Sequence, residues 1–421
     1  MFSSVLLIAI VALSIGLMLA RPRGIAEVYW AGSGALLLVA LGLIPLRLAG
    51  HAIAEGLDVY LFLIGMMLLS ALAHEHGVFD WLSSVAVSGA RGSNVRLFTL
   101  IYLFGVVVTV FLSNDATAVV LTPAVLAAVR RARVKPLPYL YACAMVANAA
   151  SFALPISNPA NLVVFRGVMP TLGRWLTAYG VSSLLSVGAT YLVLRIVFRK
   201  ELGSGPEATE AAMRLSGNGR LVLAGLAGMV IALLTASAKG IDLGWPTCGL
   251  AVLVTVVVSI RARRDPVELL GRISWKTLAL VAALFILVDA VIGIGALTEV
   301  VRLLHRAEGL APAWGVLAVS FSIGLGNNLV NNLPLGLIVG AATQAAHLPM
   351  LMRAAVMMGI DLGSNLSITG SLATILWLIA LRREKLNVGF VEFLKVGVWV
   401  MPAGIAAAAA GALAMRALHF L

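Results

Sequence analysis

Two aspartates stand inside apolar stretches of this chain, each beside a run of asparagine, serine and glycine: Asp115 in SNDATAVVLTP and Asp361 in DLGSNLSITGSLATILWL. A charge in hydrocarbon costs about 2.5–3.5 kcal/mol even on lenient insertion scales, so intramembrane carboxylates are kept where they serve an ion or proton path. Carboxylates short of water favour the protonated form, and two such groups suit proton coupling. Around them gathers a neutral set of amides and hydroxyls: Ser113, Asn114, Asn148, Ser151, Ser157, Asn158, Asn161, Asn327, Asn328, Asn331, Asn332, Ser364, Asn365, Ser371 and Thr374. The set holds no basic residue, and a highly charged anion would be met by Arg or Lys. Its chemistry fits a small, neutral, hydroxylated solute. About half of these residues are expected to do no more than satisfy interrupted backbone. Asp58, Glu75 and Asp289 are the other acids near apolar runs, with weaker claims.

The polar clusters recur. Asn148 follows Asn114 by 34 residues, and Asp361 follows Asn331 by 30; Asn148 to Asn158 and Asp361 to Ser371 are both intervals of ten. Asp115 then corresponds to Asn332, and Asp361 to Asn148, so that each copy supplies one acid and one amide, and both acids are expected to face one central cavity. Asn, Ser, Gly and Pro in an apolar helix free backbone groups that survive at membrane depth only beside a polar cavity. The pattern predicts re-entrant hairpins over 97–129 and 314–346, with tips at 113–115 and 326–332. It predicts broken helices over 139–165 and 350–381, interrupted at 155–159 and 363–370. With the uninterrupted apolar runs, the expectation is an all-α polytopic membrane protein of inverted-repeat design, with about ten transmembrane helices and two re-entrant hairpins. Its halves are 1–200 and 220–421, joined by the polar, turn-rich linker 201–219 on the cytoplasmic side.

Composition agrees with a lipid environment: of 421 residues, 61% are hydrophobic and 11% charged, where soluble domains carry about a quarter charged. The net charge of +12 comes from short Lys/Arg clusters between apolar runs, which orient helices rather than bind nucleic acid. With both termini outside, 22 of the 30 basic residues fall on the cytoplasmic side, and threading either hairpin across the membrane would spoil that bias. The segment 78–92 is too short and polar to span and is expected to lie in the interface. The first apolar run lacks a basic region before it and reads as structure rather than as a signal peptide. Cys143 and Cys248 have no partner at disulfide or zinc spacing, AHEHG at 73–77 lacks the spacing of a zinc protease helix, and no phosphate loop occurs. No cofactor, metal or catalytic group is expected. The classes left are a carrier and, less well supported, a membrane-embedded enzyme or channel.

The chain resembles the ArsB family of arsenite and antimonite efflux proteins, in the ion transporter superfamily. The likeness extends over nearly the full length and is most specific at SNDATAVVLTP (113–123), SNPAN (157–161), NNLP (331–334) and DLGSNLSITGSLATILWL (361–378). It implies a secondary antiporter in the plasma (inner) membrane of a prokaryote, which passes arsenite or antimonite outward as the neutral trihydroxide while protons enter. Asp115 and Asp361 would carry the protons, and the amide and hydroxyl set would bind the cargo. Family members can associate with a soluble arsenic-stimulated ATPase. The chain departs from the family pattern at Asn148, where relatives often have an acid, and at Asn365, where they often have a base. A sodium- or proton-coupled carboxylate transporter is the nearest alternative on the same scaffold. Two isolated thiols cannot build the three-thiolate site that trivalent arsenic prefers, so oxygen and amide contacts should dominate.

Overall fold

The computed structural model describes residues 2–20, 22–166, 168–203, 212–265, 267–271, 273–295 and 297–420. Residues 204–211 of the linker expected at 201–219 lie outside the described residues. The described residues form helices and turns, with no strand. In the first half these are α1 (Phe2–Ala20), α2 (Glu27–Ala40), α3 (Leu46–Glu55), α4 (Leu57–Glu75), α5 (Val78–Gly89), α6 (Asn94–Phe111), α7 (Asn114–Ala116), α8 (Thr122–Arg131), α9 (Leu137–Ala149), α10 (Pro159–Val164), α11 (Leu172–Trp175) and α12 (Val181–Val197). The second half has α13 (Gly217–Ala238), α14 (Gly244–Ala262), α15 (Val267–Leu270), α16 (Trp275–Gly293), α17 (Leu297–Glu308), α18 (Pro312–Val330), α19 (Asn332–Ala345), α20 (Met350–Leu362), α21 (Leu372–Arg383) and α22 (Phe390–Ala417).

Only helices keep their backbone hydrogen bonds within the segment, which makes them the default for an apolar chain in lipid. Among the described residues, eight helices are long and apolar enough to cross a membrane: α4, α6, the run 172–197 that ends in α12, α13, α14, α16, α18 and α22. The difference from the expected ten spans has a physical origin. The broken helices divide into pieces too short to be counted (α9 with α10, α20 with α21), and α1 and α2 are shorter apolar helices, whereas α6 and α18 are counted although each is the first arm of a hairpin.

The helix pairings repeat. α1 packs on α2 as α13 packs on α14, α2 on α16 as α14 on α4, and α6 on α9 as α18 on α20. Likewise α5 lies against α6 and α8 as α17 lies against α18 and α19, and α12 and α22 pack on each other as well as on α9 and α20. The elements α3 and α17 were not foreseen. α5 buries Val78, Phe79, Ala86 and Val87, the apolar stripe of an amphipathic helix, where an interfacial segment was expected. α17 is its counterpart.

The breaks fall where the polar clusters predicted. After α6 the chain passes through Ser113 and re-enters helix at Asn114, followed by a π-helical turn at Thr117–Leu121. After α18 it turns at Asn331 (φ 79°), a left-handed conformation that asparagine tolerates better than most residues. Each re-starting helix carries a polar cap. The Ala116 amide donates to Ser113 Oγ at 3.2 Å, the Ala160 amide to Asn158 Oδ1 at 3.0 Å, the Leu333 amide to Asn331 Oδ1 at 3.4 Å and the Thr374 amide to Ser371 Oγ at 3.1 Å. Four helix amino termini, each with a partial positive charge, therefore sit at the four breaks.

Candidate functional site

The hairpin tips and the broken helices converge on a crevice lined by Asn114, Asp115, Asn158, Pro159, Asn332, Leu333, Leu372 and Ala373, and closed on the far side by Val59, Leu63, Thr277 and Val281. Both tips and the second piece of each broken helix contribute, so the wall is made from both halves. Asn114 Oδ1 and Asn332 Oδ1 are buried there without a hydrogen-bond partner among the described residues. A buried amide oxygen left so is costly unless something donates to it. Each asparagine is the first residue of its re-entering helix, directly after the caps Ser113 and Asn331, so the capped helices set Asn114 against Asn332, where the sequence spacing had matched Asp115 to it.

Asp115 lies on the crevice wall, while Asp361, 1% exposed, lies one side chain behind it. Asn158 connects the two environments: it lines the crevice, and its Nδ2 donates to Asp361 Oδ1 at 2.7 Å. Asp361 Oδ2 has no hydrogen-bond partner among the described residues. The Asp361 carboxyl is thus joined to the crevice through a single amide, whereas both acids had been expected to face it.

Four other candidates form a cluster that ties the halves together. Asn148 Nδ2 donates to Asn365 Oδ1 at 3.0 Å and to Thr374 Oγ1 at 3.3 Å, and Ser371 Oγ donates to Asn148 Oδ1 at 3.2 Å. The two departures from the resembled pattern, Asn148 and Asn365, are therefore in direct contact. As a neutral pair they satisfy each other where an acid facing a base would have done so by charge.

The remaining candidates hold backbone. Asn161 Nδ2 donates to the carbonyls of Ser151, Leu154 and Pro155 at 2.9–3.3 Å, stapling the first break; Ser151 Oγ donates to the Ala147 carbonyl at 2.6 Å and Ser157 Oγ to that of Val110 at 3.0 Å. At the second break Asn327 Nδ2 donates to the Gly359 and Ile360 carbonyls, and Asn328 Nδ2 to those of Gly324 and Gly363 at 2.7 and 3.0 Å. Asn331 Nδ2 donates to the Thr369 carbonyl at 3.1 Å and Ser364 Oγ to that of Gly370 at 3.0 Å. Ser113 serves as a helix cap. Of the residues selected from sequence, the crevice wall takes Asn114, Asp115, Asn158 and Asn332.

Sequence reasoning missed Arg166, two residues beyond α10. It pairs with Glu55 at the end of α3 and with Asp289 on α16, the latter at 3.3 Å, and its guanidinium carbon stands 4.5 Å from the Phe285 ring centre. Arg166, Glu55 and Asp289, with Gln344, line a second, larger cavity. A lone arginine closing the apolar run 139–165 was the available signal. Ser367 and Thr369, which bond Asn328, were also missed. Both cysteines are free, and neither lines the crevice.

Paired helix breaks meeting across a polar crevice, in a bundle with repeated packing, define a multi-pass helical transporter. The chain belongs to the citrate transporter family, whose model matches residues 3–360. Among curated proteins it is similar to the arsenical pump membrane protein of Escherichia coli (strain K12), 24% identical over 432 residues with 97% of this chain and 98% of the relative covered. The putative arsenical pump membrane protein of Bacillus subtilis (strain 168) is 23% identical, covering 91% and 93%. In fold it is similar to the YdaH transporter of Alcanivorax borkumensis, described as having an unusual topology, with a TM-score of 0.59 at 14% identity over 88% of this chain and 87% of that one.

Proposed function

We propose that the chain is a secondary carrier that exports arsenite and antimonite, as neutral trihydroxides, in exchange for protons. The observation that carries this reading is the crevice: two unpartnered amide oxygens, Asn114 Oδ1 and Asn332 Oδ1, beside the Asp115 carboxyl, with no Lys or Arg among the described lining residues. A trihydroxide offers O–H donors to such oxygens and needs no counter-charge. The similarity to arsenical pump membrane proteins supports the same cargo.

Asp115 and Asp361 are read as the proton carriers. Protonating Asp361 would change what Asn158 Nδ2 donates to, and Asn158 stands in the crevice wall. That coupling gives proton movement a route to the binding site without a shared surface between the acids. Residues 1–200 and 220–421 are read as the two units whose relative rocking exposes the site alternately, with both termini outside and the membrane being the plasma membrane. A soluble ATPase is not required by this cycle, though such a partner suits the resemblance.

The family description favours citrate as a second reading. A tricarboxylate would require cations at the site, and Arg166 lies in the other cavity, engaged by two acids. Everted vesicles separate the readings. Arsenite should accumulate only under an imposed proton gradient, and labelled citrate should not accumulate; gradient-driven citrate uptake without arsenite uptake would overturn the assignment.

A further inference from the structure

The crevice and the second cavity lie along one groove. On α10 the wall steps from Pro159 in the crevice to Val163 in the cavity, and on α19 from Leu333 to Leu337. Four residues of helix advance about 6 Å. On α16 the step runs from Val281 to Val288, and on the opposite side the chain runs back from Val59 at the crevice to Glu55 at the cavity. Each of these four walls borders the crevice and, one to two helical turns farther along, the cavity, so the cavity continues the crevice.

Two of the walls form one body. A methyl group on Gly340 of α19 would lie 2.5 Å from the Val164 carbonyl oxygen of α10, so these helices touch backbone to backbone. Arg166 extends from this body and is held by Glu55 and Asp289 of the facing wall, while its carbonyl accepts from Gln344 Nε2 at 3.2 Å on its own side. Its side chain is 19% exposed, and one cation between two carboxylates ties the α10–α19 pair to the α3–α16 wall across the cavity.

We propose that this cavity is a second station for the cargo on the transport route, taking the same small hydroxylated neutral solute, and that Arg166 is the latch that closes it. The proposal rests on the transport reading above. The cargo's hydroxyls would meet the Gln344 amide and the two carboxylates once Arg166 lets go, and the latch must open in every cycle.

The test has two parts, one of which needs no cargo. In full-length Cys248→Ser protein in membranes, Ala341→Cys is introduced into the cavity wall and labelled with a membrane-impermeant maleimide. Adding Glu55→Gln with Asp289→Asn should raise the labelling rate by about fivefold, the consequence of losing a partly buried ion pair worth about 1 kcal/mol. Arg166→Lys, which keeps the charge, should stay near the starting rate. Equal rates in all three, with proteins that elute as single species, overturn the latch. In everted vesicles Ala341→Trp should abolish arsenite uptake while Ala341→Ser retains it; full uptake by Ala341→Trp overturns the station. If the unmodified protein moves no arsenite, the transport reading fails, and the labelling result still decides the latch.

Discussion

The two hairpin tips are built from corresponding segments yet are held very differently. The second is sewn to its own broken helix: Asn327, Asn328 and Asn331 together reach the carbonyls of Gly359, Ile360, Gly363 and Thr369, and the Asn332 main-chain amide donates to the Gly370 carbonyl at 3.1 Å. The first has a serine cap, a Thr109–Thr117 hydroxyl pair at 2.8 Å and a π-helical turn, with Ser157 reaching the arm above it. Glycine contacts follow the same division. A methyl group on Gly363 would collide with the Gly324 backbone, so α18 and the break after α20 meet main chain to main chain, whereas a methyl group on Gly105 of α6 would meet only the Val146 side chain, at 2.6 Å. One copy is a clamped platform, and the other carries the crevice-facing acid on a lighter support. A carrier needs both, because a site that changes exposure must be precise on one side and adjustable on the other.

The largest expected effect comes from removing the acids. Asp115→Asn and Asp361→Asn should each lower gradient-driven arsenite uptake by on the order of a hundredfold, the usual range for losing a proton-transfer group; normal uptake by both variants would remove the assigned roles. On stability, Gly363→Ala should cost about 1–3 kcal/mol through overpacking of backbone against backbone, and Gly105→Ala less, because a valine rotamer can yield. Equal shifts in thermal unfolding of the two purified variants would dissolve the contrast. Asn328→Ala removes the side-chain links to the Gly363 carbonyl and the Ser367 hydroxyl and should cost about 1–3 kcal/mol, read as a lower unfolding temperature. Ser113→Ala removes a single cap at the first tip and should cost about 1 kcal/mol. A larger loss from Ser113→Ala than from Asn328→Ala would reverse the ordering of platform and light support.

The breaks were legible because Asn, Ser, Gly and Pro have few uses in an apolar helix, and the spacing of Asn148–Asn158 and Asp361–Ser371 marked the repeat. Which polar groups would line space and which would hold backbone was not. Asn161 and Asn158 sit three residues apart in one motif, yet one staples three carbonyls and the other bridges crevice to carboxylate. That outcome depends on Asp361, 203 residues away, and no local pattern encodes it. The α17 helix had the spacing Leu297, Val300, Val301, Leu304 of an amphipathic helix, but its start was absorbed into the preceding apolar run. Arg166 was passed over for a similar reason: its partners, Glu55 and Asp289, belong to helices distant in sequence.

The most direct measurement is the position of bound antimony. Antimonite added to the purified protein can be located by its anomalous scattering in crystals. A peak between Asn114 and Asn332, beside Asp115, is the result expected of a crevice in which two corresponding amides receive a neutral trihydroxide. Antimony at Cys143 or Cys248, with the space between the tips unoccupied at saturating antimonite, would contradict it.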